Sequence, residues 1–313
     1  MNKLTREIGG YFELELNQQQ CNNFGSAVML NSARNCLRYI IKAYNVNEIY
    51  LPFYTCPVVW QSVQKENCKI KFYHIDENFY PVQNFPENAY ILYTNYFGIN
   101  AKNVKKLAAI YKNLIIDNAQ AFYMPKHGIA SFNSIRKFFG VPDGAFLYCD
   151  KKLDTMFEQD ISYQRFSHLL KRIDVNAQFG YDDFCRNEDS FEGENIKIMS
   201  KLTQAVISSI DTEIVRQKRI ENFNTLDSFL KRTNKLNFEL DKDDVPMSYP
   251  YMIDNAAFLR NKLIENKIYI PIYWNNLEEE SVEYNLRNNI IHIPLDQRYK
   301  NDDMNRILEV ING

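Results

Sequence analysis

Between residues 30 and 120 the chain alternates short, nearly unbroken apolar runs with segments whose apolar residues recur every three or four positions. Few architectures accept that pattern. "EIYLPF" (48–53), "KIKFYHID" (69–76), "AYILYTNYFG" (89–98) and "NLIID" (113–117) read as strands. Runs such as "YILY" and "LII" scarcely alternate with polar residues, as strands covered on both faces should not. Between them, "ARNCLRYIIKAY" (33–44) places Leu37, Ile40, Ile41 and Tyr44 on one helical face, and "NVKKLAAIY" (103–111) does so with Val104, Leu107, Ala108 and Tyr111. A third helix starts at Pro57, a residue suited to a first helical turn, with Thr55 as a candidate cap, and runs through Trp60 and Val63. Strands alternating with helices predict an α/β fold with a mostly parallel central sheet.

After residue 150 the pattern changes. The polar stretch "NAQFGYDDFCRNEDSFEGEN" (176–195) reads as irregular. One long amphipathic helix is expected through Met199, Leu202, Val206, Ile210 and Ile214. The remainder reads strand ("SYPYMI"), helix ("AAFLRNKLIENK"), strand ("IYIPIYW"), strand ("NIIHIPL") and closing helix ("DDMNRILEVI"), a small α+β unit. The expected division is a large domain over 1–225 and a small C-terminal domain over 226–313, with the N-terminal segment, about 1–22, packing on the small one.

The length of 313 residues and 45% hydrophobic content suffice for a sizeable core. A net charge of −2 gives no basic surplus for nucleic acid or an anionic membrane, though a local basic pocket for a phosphorylated ligand is compatible with it. No apolar run approaches a membrane span, and the opening "MNKLTREIGGYFELEL" carries no apolar signal region. The six cysteines show no CxxC spacing, so reduced thiols in a cytoplasmic protein are expected.

"IIDNAQAF" (115–122) ends an apolar strand on Asp117. In open α/β sheets ligands sit beyond the carboxyl ends of the strands, so this carboxylate should face a crevice and require a partner there. A metal is one partner, but His74, His127, His168 and His292 are scattered and nothing has ligand spacing. A protonated ring nitrogen is another: pyridoxal phosphate needs an acidic partner for its pyridine nitrogen and a lysine, and Lys137 follows twenty positions later. Taken singly, Asp117 reads more simply as a helix cap and Lys137 as a solvated surface lysine. Ser32 and Asn31 read as caps of the helix beginning near 33, and His292 as a hydrogen-bonded strand residue.

Taken together, "LNSARNCLRYIIKAYNVNEIYLPFYTCPVV", "NYFG", "LIIDNAQAF", "SFNSIRKFFGVPDGAFLY" and "IHIPLDQRYKNDDM" resemble, in order and over nearly the whole chain, the DegT/DnrJ/EryC1/StrS family. These are fold-type-I, pyridoxal-phosphate-dependent aminotransferases that act mainly on nucleotide-linked keto sugars. The resemblance implies that Asp117 pairs with the pyridine nitrogen, that Gln120 contacts the ring or its 3-oxygen, and that Lys137 links covalently to the cofactor and then shuttles a proton. It implies that the turn at Ser32, Ala33 and Arg34 holds the phosphate at a helix N-terminus, assisted by Ser131. It implies a homodimer, an amino donor such as glutamate, and a product used in cell-surface polysaccharide or related amino-sugar synthesis.

Three positions depart from the family pattern. Counting S-F-x-x-x-K from Ser131 lands on Arg136, so Lys137 is assigned with a one-residue shift and Lys126 is the fallback. Ala33 stands where the family has glycine. The aromatic that stacks on the ring aligns with Cys56, leaving Tyr54, Phe53 or the Cys56 thiol to cover it. A related dehydratase branch, which replaces the lysine by histidine, is disfavoured by Lys137. A catalytically inactive homologue acting as a binding or regulatory protein is the alternative.

Overall fold

The computed structural model describes residues 8–17, 24–274 and 277–313. Its first half follows the expected alternation: β1 (Val28–Leu30), α1 (Ala33–Tyr44), β2 (Glu48–Pro52), α2 (Pro57–Lys65), β3 (Lys69–Tyr73), β4 (Tyr90–Thr94), α3 (Ala101–Ile110) and β5 (Leu114–Asn118). Then come β6 (Ala130–Asn133), β7 (Ala145–Cys149), β8 (Glu158–Gln159), α4 (Ser167–Asp174), α5 (Tyr181–Asp189), β9 (Lys197–Ile198), α6 (Lys201–Ser208) and α7 (Thr212–Leu230). The C-terminal part adds β10 (Ser248–Met252), α8 (Ala256–Glu265), α9 (Val282–Asn289), β11 (Ile290–Pro294) and α10 (Asn301–Asn312).

Among the described residues nine strands form one sheet in the order β3-β2-β4-β5-β6-β7-β1-β9-β8. β3, β2, β4, β5 and β6 run parallel to one another, while β7 pairs antiparallel with both β6 and β1. The unbroken apolar runs are explained by the two faces they serve. Ile91, Tyr93, Leu114 and Ile116 enter one core with Val104 and Leu107 of α3. Leu92 and Ile115 enter the other with Cys36, Leu37, Ile40 and Ile41 of α1. Period-two strands sandwiched between helices bury both sets, which is the α/β arrangement the sequence predicts.

Three segments differ from expectation. The polar stretch holds α5, whose first turn carries Asp182 and Asp183; Asp183 pairs with Lys171 of α4 at 2.5 Å and also with Arg186. Charge pairing, rather than an apolar stripe, stabilises this helix. The long helix through 199–214 is two helices. Ser200 caps α6, and Asp211 interrupts the run by accepting the N–H groups of Glu213 and Ile214 at 2.9 and 3.1 Å. The run 268–274 is not a strand. Lys267 and Trp274 take φ of 59° and 57° at its two ends, and Pro271 has no N–H to give to a ladder.

β10 and β11 pair antiparallel, Ser248 opposite Pro294 and Met252 opposite Ile290, and share a core with α7, α8 and α10. The expected boundary at 225/226 falls inside α7, whose Phe223, Leu226 and Leu230 all belong to that core. Residues 8–17 form no helix or strand and are almost entirely exposed; the rest of the expected N-terminal packing segment lies outside the described residues. No helix among the described residues is long and apolar enough to cross a membrane.

Gly98 closes the approach between the end of β4 and the C-terminal part. Its φ is +72°, and a Cβ there would stand 2.5 Å from the Val245 carbonyl oxygen and 2.9 Å from that of Gln120. Only glycine combines that backbone with that proximity.

Candidate functional site

The carboxyl ends of β2, β4, β5 and β6 open onto one cavity, and the loops that leave them supply its walls. Thr55 and Cys56 come from the β2–α2 loop, Thr94 from the last position of β4, Asp117, Ala119 and Gln120 from the end of β5, and Ser134, Arg136 and Lys137 from the turn after β6. The head of α1 closes one side with Ser32, Ala33 and Arg34. Glu188 at the end of α5 and Trp274 complete it.

Ser32 is the cap of α1: its backbone is extended and its Oγ accepts the Asn35 N–H at 3.3 Å. No acidic residue lies in the first turn, so the positive end of the helix is left for an anion from outside it. Ala33 serves in the turn where a glycine is expected.

Asp117 is 95% buried. It lies opposite Thr94 on β4 and Phe132 on β6, and its Oδ1 accepts the Ala119 N–H at 2.8 Å. Burial pushes its pKa up, while the Ala119 N–H and the nearby Lys137 cation oppose that rise. Two further polar atoms at the cavity have no partner. Gln120 uses its Oε1 to accept the Phe97 N–H at 3.0 Å, which leaves Nε2 unpaired; the Thr94 Oγ1 is also unpaired. Buried donors without acceptors are costly unless a ligand satisfies them. A carboxylate that gains from a proton-bearing partner, flanked by two free donors, suits a ring with N–H on one edge and an oxygen on another. Among the described residues no three His, Cys, Asp or Glu side chains converge in a metal-binding group.

Lys137 ends a single 3-10 turn over Ile135–Lys137 and stands exposed at the cavity wall. Lys126, the fallback, is paired with Asp150 and is not part of the wall. The turn is tied to the next one, Pro142–Gly144, by the Ile135 N–H, which donates to the Gly144 carbonyl at 3.2 Å. Asp143 is fully buried and accepts the Ser200 N–H and Oγ–H, each at 2.8 Å, and the Thr203 hydroxyl. Asn187 donates to the Pro142 carbonyl at 2.9 Å.

Two expected residues do not reach the cavity. Tyr54 is sealed in the core, its ring stacked on Tyr96 at 5.5 Å and edge-on to Trp274 at 4.5 Å. Successive residues leaving β2 point to opposite sides, so Tyr54 goes inward while Phe53 leaves outward and stacks on His74 at 5.1 Å. Ser131 is an interior residue of β6, opposite Ile116 and Tyr148, and Ser134 takes the wall position instead. The aromatic at the wall is Trp274, backed by Tyr54; Cys56 lies on the wall at the head of α2. His292 is the strand residue expected, beside the Ser248 hydroxyl at 3.3 Å.

Sequence reading also missed a cluster of guanidinium groups. Arg34, Arg136 and Arg165 surround the Phe191 ring at 5.6, 4.6 and 5.1 Å. Arg165 is satisfied by Asp160 at 2.6 Å. Arg34 and Arg136 both turn to Glu188, Arg34 at 3.7 Å. Burial, then the neighbouring Arg34 guanidinium, pushes the Arg136 pKa down to about 9. The positions 34, 136, 165, 188 and 191 share no local motif, so only the folded chain unites them.

No family model and no curated protein matches the sequence. Solved structures are. A DegT DnrJ EryC1 StrS aminotransferase from Brucella abortus superposes with a TM-score of 0.61 at 14% identity, over 92% of this chain and 85% of that one. NtdA from Bacillus subtilis, solved with its cofactor PMP bound, gives 0.64 at 13% identity over 92% and 73%. A sugar aminotransferase from Micromonospora echinospora gives 0.60 at 13% identity over 91% and 86%. The structural neighbours across the chain are thus sugar aminotransferases of the DegT/DnrJ/EryC1/StrS type, and the architecture is that of fold-type-I aminotransferases.

Proposed function

We propose that this chain is a pyridoxal-phosphate-dependent aminotransferase that moves an amino group, from glutamate, to a nucleotide-linked keto sugar in the cytoplasm, for cell-surface polysaccharide or amino-sugar synthesis. The observation that carries the reading is the convergence of Asp117, Gln120, Lys137 and the Ser32–Arg34 turn on one cavity at the carboxyl ends of the parallel strands. The unpaired Gln120 Nε2 and Thr94 Oγ1, and the buried Asp117 carboxylate, fit pyridoxal phosphate.

When bound, pyridoxal phosphate supplies a ring that absorbs the electron pair of a breaking C–H bond. The residues of the chain would hold it and move protons around it. The head of α1 receives the phosphate through backbone N–H groups, with the Ser32 and Ser134 hydroxyls beside it. Asp117 accepts the ring N–H and keeps that nitrogen protonated. Gln120 and Thr94 donate to ring substituents, and Trp274 and Cys56 bound the ring and exclude water. Lys137 would hold the cofactor through its Nζ, and the same amine would take and return the substrate proton.

A homodimer accords with the outward apolar side chains Leu170, Ile173, Val175 and Phe179, each more than half exposed on and just after α4. A second reading, a binding or regulatory homologue without activity, draws on Arg136 at the position where many relatives of this kind carry lysine.

The test is absorbance of the purified protein with pyridoxal phosphate, before and after borohydride, followed by mass mapping. The expected result is a visible band and a pyridoxyl label on Lys137, both lost in Lys137→Ala. A label on Lys126 would reassign the lysine, and no label anywhere refutes the enzyme reading. Biological activity that survives Lys137→Ala would favour the second one.

A further inference from the structure

The guanidinium groups of Arg34 and Arg136 come from separate parts of the chain, the first turn of α1 and the turn after β6, yet meet on one carboxylate, that of Glu188. Two partly buried cations sharing one ion-paired carboxylate leave positive charge only partly matched. Lys137 adds to it at the same wall, and the Arg136 Nε has no hydrogen-bond partner. Asp189 and Glu192 act on Arg34, and Asp143 on Arg136, only at longer range than an ion pair, and Asp160 is taken up by Arg165 and by the Asn31 amide. Such a site is completed by an anion carrying close to two charges and several acceptor oxygens. A phosphate monoester has both, and its geometry matches paired guanidinium forks.

Glu188 is placed to give way. Its side chain is 33% exposed against 14% for Arg136, so it has a route to water that the arginine lacks. It sits near the end of α5, and the chain beyond it reaches Gly193, around which nothing lies within 4 Å of a built Cβ.

We propose that Arg34 and Arg136 form a two-guanidinium receptor for a phosphate monoester dianion, and that Glu188 is an internal carboxylate that occupies it until the ligand displaces it. This rests on the reading that the cavity takes a phosphorylated ligand, and adds to it two residues, Arg136 and Glu188, that act on the phosphate end alone. The competing anion is part of the protein, so removing its charge should strengthen binding rather than weaken it. A permanent structural ion pair would do the reverse.

The experiment is calorimetric titration of the full chain with inorganic phosphate, pyridoxal phosphate and phosphate-free pyridoxal, for wild type, Glu188→Gln and Arg136→Gln. Thermal unfolding shows that each variant is folded; if Arg136→Gln is not, Glu188→Gln decides alone. The expected result is a rise of about tenfold or more in affinity for phosphate and pyridoxal phosphate in Glu188→Gln, and a fall of that order in Arg136→Gln, with pyridoxal unchanged. Phosphate affinity within twofold of wild type in Glu188→Gln, or lower, overturns the proposal, as does an equal gain for pyridoxal. If the affinities shift as expected but borohydride leaves no label on Lys137, the anion receptor stands and the aminotransferase reading falls. If the label forms and the affinities do not move, only the receptor falls. If none of the three proteins binds phosphate or pyridoxal phosphate, both fall.

Discussion

Replacing Asp143 by alanine should destabilise the protein and loosen the turn that carries Lys137 together. The carboxylate is fully buried in the Pro142–Gly144 turn and accepts three hydrogen bonds, from the Ser200 N–H, the Ser200 hydroxyl and the Thr203 hydroxyl. After the change the Ser200 hydroxyl still has Ser162, at 2.7 Å. The Ser200 N–H and the Thr203 hydroxyl lose their acceptor in a place water does not reach. Each orphaned donor costs about 1–3 kcal/mol, and bonds to a charged acceptor lie at the upper end, so the loss should be about 3–5 kcal/mol. At about 2–4 °C per kcal/mol for a chain of this size, the melting temperature should drop by roughly 10 °C. Asp143→Asn keeps one acceptor oxygen and should lose about half as much. Circular dichroism melts of the three proteins measure this. An Asp143→Ala variant within about 1 kcal/mol of wild type would mean that the three bonds do not anchor the turn, and the account of how Lys137 is held would be wrong.

Two other outcomes follow from the same kind of accounting. Gly98→Ala should lower the urea midpoint by an amount equivalent to about 2 kcal/mol or more, since its φ of +72° is strained for alanine and the Val245 and Gln120 carbonyls that a Cβ would meet are backbone. Burial and then Arg260 push the His292 pKa down to about 3, whereas the unfolded chain takes up that proton near 6.5. The fold therefore keeps the full His292 contribution above about pH 6.5 and loses it as pH falls toward 3, by at most about 1.4 kcal/mol per pH unit. Melts of wild type and His292→Gln between pH 7.5 and 5 should diverge, with the variant the less acid-sensitive of the two, and parallel curves would refute the assignment.

Where local pattern sets structure, the sequence was readable. β4 and β5 declare themselves because helices cover both their faces, and Asp117 stands out because a charge ends an apolar strand. Where competition between local terms decides, it was not. The break between α6 and α7 depends on the Asp211 side chain capturing two N–H groups, which an apolar stripe running through the same positions conceals. The choice of Trp274 over Tyr54 at the cavity wall depends on which way the chain turns after β2 and on a residue some 220 positions away. Glu188 lay in a stretch read as irregular because α5 is charge-paired and lacks a clean apolar face.

The place of β1 in the sheet sets an order of events during synthesis. Val28–Leu30 leaves the ribosome first among the strands, but its partners are β7 and β9, so it waits for residues 145–149 to emerge. At translation speeds of about 5–20 residues per second that interval is roughly 6–24 s, during which β2 to β5 can already associate. The head of α1 hangs directly from this waiting strand. A nascent chain thus acquires its half-built sheet well before the head of α1 is fixed in place, and one stalled short of residue 145 carries an apolar segment without its partner strand. Such a chain presents an unpaired strand edge and apolar surface, the features that favour aggregation in incomplete folds.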